Sequence, residues 1–191
     1  MHTLIKKANV PSPDDHVVIL TKDKKKFDTS FFDADELDYI KHKLDDKNDS
    51  VTVNQYRRTV TVQFIKKQKD EYLMMEAMRK AGDRMAAQVN KLKGETLYIS
   101  AGDYFPEALA MAEGASLGNY QFLKYRSEKD KEKNTLKTIV ISGRKVQDDL
   151  IHRMNIACDA VCRTRDLVNE PQNSLNAEQL AFAFQQMGEE A

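Results

Sequence analysis

The sequence predicts an α/β fold, a three-layer sandwich built on a mixed, mostly parallel sheet. Short segments rich in β-branched residues alternate with long amphipathic segments, which is the pattern of strands joined by crossover helices. The segment 138–142 has the apolar character of a strand buried on both faces. Two alternating segments separated only by residues 54–58 indicate an antiparallel pair, so we expect a mixed sheet.

The first half of the chain supplies three predicted strands and one helix, after ten residues without a clear period. The helix shows Leu37, Ile40 and Leu44 on one face, and residues 45–49 form a polar turn after it. We expect strands at 16–20, 51–53 and 59–65, and the helix at 33–44.

The second half alternates long helices with single strands. We expect helices at 71–92, 107–122, 147–168 and from about 177, with strands at 96–100 and 138–142. Gly114 and Gly118 indicate a close approach to a neighbouring element, because a glycine inside a helix costs about 1 kcal/mol relative to alanine. Gly94 is predicted to stop the first of these helices, and Asn176 to cap the last.

Composition and charge exclude several classes of protein. The chain has 191 residues, with 30 Lys plus Arg against 30 Asp plus Glu, so its zero net charge gives no pull towards nucleic acid or anionic lipid. No apolar run approaches the length of a membrane span, and residues 1–7 lack the apolar core of a secretory signal. Two cysteines argue against a disulfide scaffold and predict a reducing, cytoplasmic compartment.

No residue of the sequence is assigned a catalytic, substrate-binding or metal-binding role. Cys158 and Cys162 share a helix face and could form half of a metal site, but a zinc site needs three or four ligands, so we interpret them as structural. The histidines form no pair with ligand spacing. The methionines of the helix at 71–92 are interpreted as core, with a pliable binding groove as the alternative. Lys22–Lys26 are interpreted as a solvated loop, with a phosphate-binding patch as the alternative.

Two stretches resemble the leucyl (cytosol) aminopeptidase family. Residues 113–127 read EGASLGNYQFLKYRS, similar to a Glu-Gly-x-x-Leu-Gly-x-Tyr-x-Phe-x-x-Tyr run at the end of the family's amino-terminal domain. Residues 165–173 read RDLVNEPQN, similar to the segment through which the family's chain enters its catalytic domain. The resemblance begins at about residue 105; the residues before 90 match only in length and element order. From their residue types, both stretches are interpreted as structural, with direct substrate contact by residues 169–173 as the alternative.

The resemblance implies a macro-domain-like fold and a domain division. Residues 1–145 would form the non-catalytic amino-terminal domain, 146–168 the connecting helix and 169–191 the truncated beginning of the catalytic peptidase domain. The implied parent is a metal-dependent aminopeptidase that removes N-terminal residues from peptides, a cytoplasmic hexamer holding two divalent metal ions, zinc or manganese. In such a parent the amino-terminal domain would help assembly and shape access to the active site.

The metal-binding runs of the family are missing from these residues. Phe27-Asp28-Thr29-Ser30 echoes one of them but lacks its glycines and lies far from its expected place, so we regard it as coincidence. The fragment is therefore predicted to hold no cofactor and to be inactive alone. The alternatives are a binding module of macro-domain type for an ADP-ribose-like ligand, which isolated glycines do not favour, and a DNA-binding domain, which the charge balance does not favour.

Overall fold

The computed structural model describes residues 3–45 and 48–190, so His2 and positions 46 and 47 of the predicted turn lie outside the described residues. Within these ranges the chain forms six strands: β1 (Leu4–Lys7), β2 (His16–Thr21), β3 (Ser50–Asn54), β4 (Thr59–Phe64), β5 (Thr96–Gly102) and β6 (Thr138–Gly143). The same ranges hold six helices: α1 (Ala34–Asp45), α2 (Glu71–Lys91), α3 (Phe105–Gly118), α4 (Lys129–Glu132), α5 (Asp148–Asn169) and α6 (Ala177–Glu190). None of these described helices combines the length and apolarity needed to cross a bilayer.

The strands form one mixed sheet in the order β1-β6-β5-β2-β4-β3. Every neighbouring pair is parallel except β3 and β4, which are antiparallel through the turn at 54–58. The mixed, mostly parallel sheet and its antiparallel pair therefore confirm the prediction.

Alternating side chains of the sheet face two different layers. Val18 and Leu20 of β2 pack in the large core beneath α2, α3 and α5, whereas Val17 and Ile19 face the opposite side. That second side is covered by α1 and by the aromatic loop that carries Phe27. The three-layer architecture is confirmed.

The edge strand β1 was not predicted from the sequence. It has four residues, of which only Ile5 is buried, so it carries too little periodicity to be recognised. Its outer edge is completed by Asn155 of α5, whose Oδ1 accepts a hydrogen bond from the Ile5 N–H at 2.9 Å and whose Nδ2 donates to the Ile5 carbonyl at 2.7 Å. A side chain thus substitutes for the missing neighbouring strand.

Helix α3 ends at Gly118, and the prediction that it continues to residue 122 was wrong. Asn119 is the reason. Its Nδ2 donates to Thr3 Oγ1 at 2.7 Å and to the Leu136 carbonyl at 2.8 Å, and its Oδ1 accepts from Asn90 Nδ2 at 2.7 Å. These long-range bonds direct the chain away from the helix axis, which local propensity cannot foresee.

Helix α2 ends in a six-to-one hydrogen bond from the Gly94 N–H to the Val89 carbonyl. The left-handed residue of this cap is Lys93, with φ of 57°, rather than the predicted Gly94. Gly94 is required for another reason, because a Cβ there would overlap the buried His16 ring.

Helices α2 and α3 cross with their backbones in contact. A Cβ on Gly82 of α2 would overlap the Met111 carbonyl, and a Cβ on Gly114 of α3 would overlap the Arg79 backbone. The close approach predicted at Gly114 is confirmed; at Gly118 the nearest neighbour is the Asp83 side chain rather than a backbone, and Gly82 was not singled out from the sequence. An ion pair between Arg79 Nε and Glu113 Oε2 at 2.6 Å also joins the two helices.

We predict that Gly82→Ala and Gly114→Ala each lower the free energy of unfolding by at least about 2 kcal/mol, because the new methyl group forces two rigid backbones apart. Gly188→Ala in α6 is the matched control, since nothing lies within 4 Å of a Cβ there. Urea denaturation measures the three variants. Equal stability of all three would contradict the close-crossing interpretation.

His16 is buried in its neutral form. Its Nδ1 accepts a hydrogen bond from the Thr59 N–H at 3.1 Å, which a doubly protonated imidazolium could not do. Burial lowers the pKa of His16, and the nearby Asp15 only partly opposes this. The unfolded chain therefore binds a proton more readily than the folded protein does, and stability must fall as the pH drops below the ordinary histidine pKa of 6.5.

We predict a loss of unfolding free energy between pH 7.5 and pH 5 that disappears in His16→Asn, which keeps an acceptor near Nδ1 but cannot titrate. Chemical denaturation at several pH values measures this slope. His152→Asn is the control, since His152 is an exposed histidine. An unchanged slope in His16→Asn would show that other groups cause the pH dependence.

Candidate functional site

The two stretches that carry the family resemblance meet in space. Tyr120, in the loop after α3, donates its hydroxyl to Asp166 Oδ1 of α5 at 2.8 Å. Asn169 Nδ2 donates to the same Tyr120 oxygen at 3.2 Å. Arg165 Nη1 donates to the Leu117 carbonyl at 2.7 Å and its guanidinium lies 5.5 Å from the centre of the Tyr120 ring. The sequence placed these residues in separate segments; the fold brings them together.

A second set of contacts fixes the end of α5. Glu170 receives an ion pair from Lys124 Nζ at 2.6 Å and a hydrogen bond from the Tyr125 hydroxyl at 2.5 Å. The hydrogen bond from Lys124 lowers the pKa of Glu170, with a further contribution from Tyr125. The same hydrogen bond raises the pKa of Lys124. We call the contacts of residues 117–125 with residues 165–170 the α3–α5 junction.

The junction sets the direction in which the chain leaves α5. Helix α5 ends at Asn169, Glu170 before Pro171 is already extended, and α6 begins at Ala177. Asn176 caps α6 as predicted: its Oδ1 accepts from the Gln179 N–H at 3.0 Å, and Gln179 Oε1 accepts from the Asn176 N–H at 2.8 Å. Asn169 uses its amide within the junction, which favours the structural interpretation of this stretch.

An apolar groove of about 1050 Å³ runs between α5 and α6. On α5 its apolar lining residues are Ile156, Ala160, Leu167 and Val168, and polar side chains of the same helix border them: His152, Asn155, Asp159, Arg163 and Thr164. On α6 and the preceding loop the lining residues are Leu175, Leu180, Phe184 and Met187. Val168 is 80% exposed, and both Ile156 and Phe184 are 57% exposed. Single exposed apolar residues are common on protein surfaces, but several that line one groove mark an interaction surface. The groove has the size and character of a surface that another part of a protein covers.

The two cysteines of α5 lie on the side opposite to solvent. Cys158 and Cys162 are both buried, and burial raises the pKa of each thiol, so neither is an activated thiolate. This agrees with their structural interpretation.

The described residues do not fit the two-metal centre that the resemblance implies. No group of three or more His, Cys, Asp or Glu side chains among them could hold a metal ion. Asp28, in the stretch that echoes a family motif, uses its carboxylate to accept hydrogen bonds from the Ser30 N–H and hydroxyl. We therefore assign no hydrolytic step to these residues.

The carboxyl ends of the central strands do not favour a phosphate cradle. There Lys22 Nζ of the β2 end forms an ion pair with the buried Glu107 at 2.6 Å and lies 5.0 Å from the Tyr104 ring centre. The Arg144 N–H donates to the Gly102 carbonyl, so it already has a partner within the loops. A buried carboxylate at this crevice opposes an anionic, ADP-ribose-like ligand.

Comparison with known proteins places these features in a family context. Residues 66–129 match the profile of the cytosol aminopeptidase family, N-terminal domain. A probable cytosol aminopeptidase of Clostridium perfringens is 29% identical over 132 residues, which cover 63% of this chain and 26% of the relative. One of Aquifex aeolicus is 32% identical over 126 residues, which cover 64% of this chain and 25% of the relative. The chain thus spans about a quarter of the length of these relatives.

Solved structures agree on the fold. A tomato leucine aminopeptidase mutant superposes with a TM-score of 0.68 at 17% identity, covering 98% of this chain and 42% of that one. The bottromycin maturation enzyme BotP gives a TM-score of 0.64 at 18% identity, covering 92% of this chain and 37% of that one. At such identities the likeness concerns the fold alone.

We predict that Glu170→Gln loosens the α3–α5 junction, because it removes the carboxylate that Lys124 and Tyr125 share. Amide hydrogen exchange at residues 168–176 should become about twofold to fivefold faster, the range expected for loss of a surface ion pair. Glu178→Gln, an exposed position in the first turn of α6, is the control. If both variants exchange like the unmodified chain, Glu170 does not hold the end of α5.

Proposed function

We propose that this chain, whose residues 66–129 match the N-terminal domain of the cytosol aminopeptidase family, is the non-catalytic portion of a metal-dependent leucyl aminopeptidase. Residues 1–145 form the amino-terminal domain, 146–168 the connecting helix and 169–191 the beginning of the catalytic domain. Its role is to position and assemble a catalytic region rather than to carry out chemistry.

One observation carries this proposal, the apolar groove between α5 and α6. Leu180 and Phe184 present an apolar face that the rest of the described chain leaves half-exposed. The relatives extend over about four times the aligned length. A region that follows α6 in a longer polypeptide is therefore the natural occupant, and burying this face stabilises it at about 25 cal/mol per Å² of apolar surface.

The α3–α5 junction supports the same role. It connects the loop after α3 to the end of α5, so the amino-terminal domain and the groove are held in one arrangement by Arg165, Asp166 and Glu170. A rigid connection of this kind fixes the placement of whatever packs against α6. In this proposal the contacts give both family-like stretches a structural role.

We further propose an activity and an assembly for the full-length parent. It acts on peptides in the cytoplasm, releases their N-terminal residues and assembles as a hexamer. Two divalent metal ions, zinc or manganese, supply a Lewis acid and an activated water in the catalytic region. The residues that bind them lie outside residues 1–191.

We predict that purified residues 1–191 release no leucine from leucine amide when zinc or manganese is added. A coupled assay for free leucine measures this. Metal-dependent turnover by this chain would overturn the non-catalytic assignment. The reading frame is expected to continue past Ala191 into the metal-binding runs of the family; a stop codon there would favour an independent binding or assembly role.

The role of the α5–α6 groove as an interface is tested in a polypeptide that continues past Ala191 into the catalytic region. Phe184→Gln should lower both the melting temperature and the peptidase activity, because it places a polar amide in the covered groove. Phe182→Gln is the matched control, since Phe182 is on the same helix and is 59% exposed in this chain, against 57% for Phe184, but does not line the groove. Equal effects of the two variants would show that the groove is not the contact.

A further inference from the structure

A second cavity lies on the other side of the α3–α5 junction. It has a volume of about 370 Å³ and lies between the loop after α3 and the segment that leads into β6. Four lysines line it, Lys124, Lys129, Lys133 and Lys137, against a single acidic residue, Asp130. Its volume is at the lower end of the range for small-molecule sites.

The floor of this cavity is fixed by amide side chains. Gln121 Nε2 donates to the Glu132 carbonyl at 3.0 Å, and Gln121 Oε1 accepts from the Asn134 N–H at 2.7 Å. Asn134 Nδ2 donates to the Asn119 carbonyl at 3.1 Å. The two loops are therefore held together by neutral hydrogen bonds rather than by Lys129 and Lys133.

The charge around the cavity departs from that of the whole chain. Residues 124–137 contain six basic and three acidic residues, an excess of three positive charges in a chain whose net charge is zero. Lys124 and Lys137 already pair with Glu170 and Glu95, each at 2.6 Å. Lys129 and Lys133 form no ion pair among the described residues, although the acidic residues Glu128, Asp130 and Glu132 are adjacent to them in the sequence.

We propose that this lysine-lined cavity binds a compact oligophosphate. Several ammonium groups around a small volume match the charge of two or three linked phosphates. A phosphate chain would supply an anionic partner for Lys129 and Lys133, the two lysines of the cavity that form no ion pair. An extended nucleic-acid backbone fits less well, because the cavity is small, with a volume of about 370 Å³, and the chain as a whole has zero net charge.

The cavity is connected to the α3–α5 junction through Lys124. Its ammonium group pairs with Glu170 in the unliganded chain, so a bound phosphate competes with Glu170 for the same cation. Removing the Glu170 carboxylate must therefore strengthen phosphate binding. An increase in phosphate affinity in Glu170→Gln therefore distinguishes a site that includes Lys124 from a general attraction of phosphate to lysines.

Isothermal titration calorimetry with tripolyphosphate at low ionic strength tests the proposal on the 191-residue chain. We expect a dissociation constant below about 1 mM, at least tenfold weaker binding in the Lys129→Gln/Lys133→Gln double variant, and twofold to fivefold tighter binding in Glu170→Gln. Lys25→Gln/Lys26→Gln is the control, because it removes the same charge from a distant exposed loop and should change the affinity by less than twofold.

Four results would overturn the proposal. These are undetectable binding by the unmodified chain at millimolar tripolyphosphate, an equal loss in the two double variants, unchanged or weaker binding in Glu170→Gln, and tighter binding of duplex DNA than of tripolyphosphate through Lys129 and Lys133. Circular dichroism verifies that each variant is folded, so a loss of binding reports on the site.

Discussion

The backbone contact between α2 and α3 is the constraint on which the rest of this face of the molecule depends. Gly82 and Gly114 each cost helix stability, about 1 kcal/mol relative to alanine, and each is required because the opposing backbone occupies the space of a side chain. This crossing sets the position of α3. The end of α3 in turn determines where Asn119 reaches Thr3 and Leu136, and so where the edge strand β1 and the approach to β6 are held.

The position of the end of α3 also determines contacts at the surface of the molecule. Residues 120–125 leave the helix and bind the last turn of α5 through Asp166 and Glu170. The exit of the chain, the start of α6 and the groove between α5 and α6 follow from those contacts. The junction shares Lys124 with the lysine-lined cavity, and the same end of α5 contributes Leu167 and Val168 to the apolar groove.

The sheet and most helices are predictable from the sequence because their apolar residues recur at the regular spacing of a strand or a helix. The strands near 16–20 and 138–142 and the antiparallel pair were evident from β-branched runs, whereas β1 has a single buried residue and gives no period. The premature end of α3 depends on Asn119 contacting residues far away in sequence, which no local rule reports. Likewise Gly114 could be recognised within a motif, but its counterpart Gly82 lies in a helix whose methionines dominate the pattern. The junction itself joins segments some 45 residues apart, as the Tyr125–Glu170 bond shows, and only the fold brings them together.

We propose that the α5–α6 groove is an interface with a further region of the same polypeptide. Hydrogen–deuterium exchange of α5 and α6, compared between the 191-residue chain and a polypeptide that continues past it, tests this most directly. We expect the amides of residues 177–187 to exchange rapidly in the short chain and to become at least tenfold slower in the longer one, while α2 and α3 are unchanged. Equal exchange of residues 177–187 in the two polypeptides would contradict the claim.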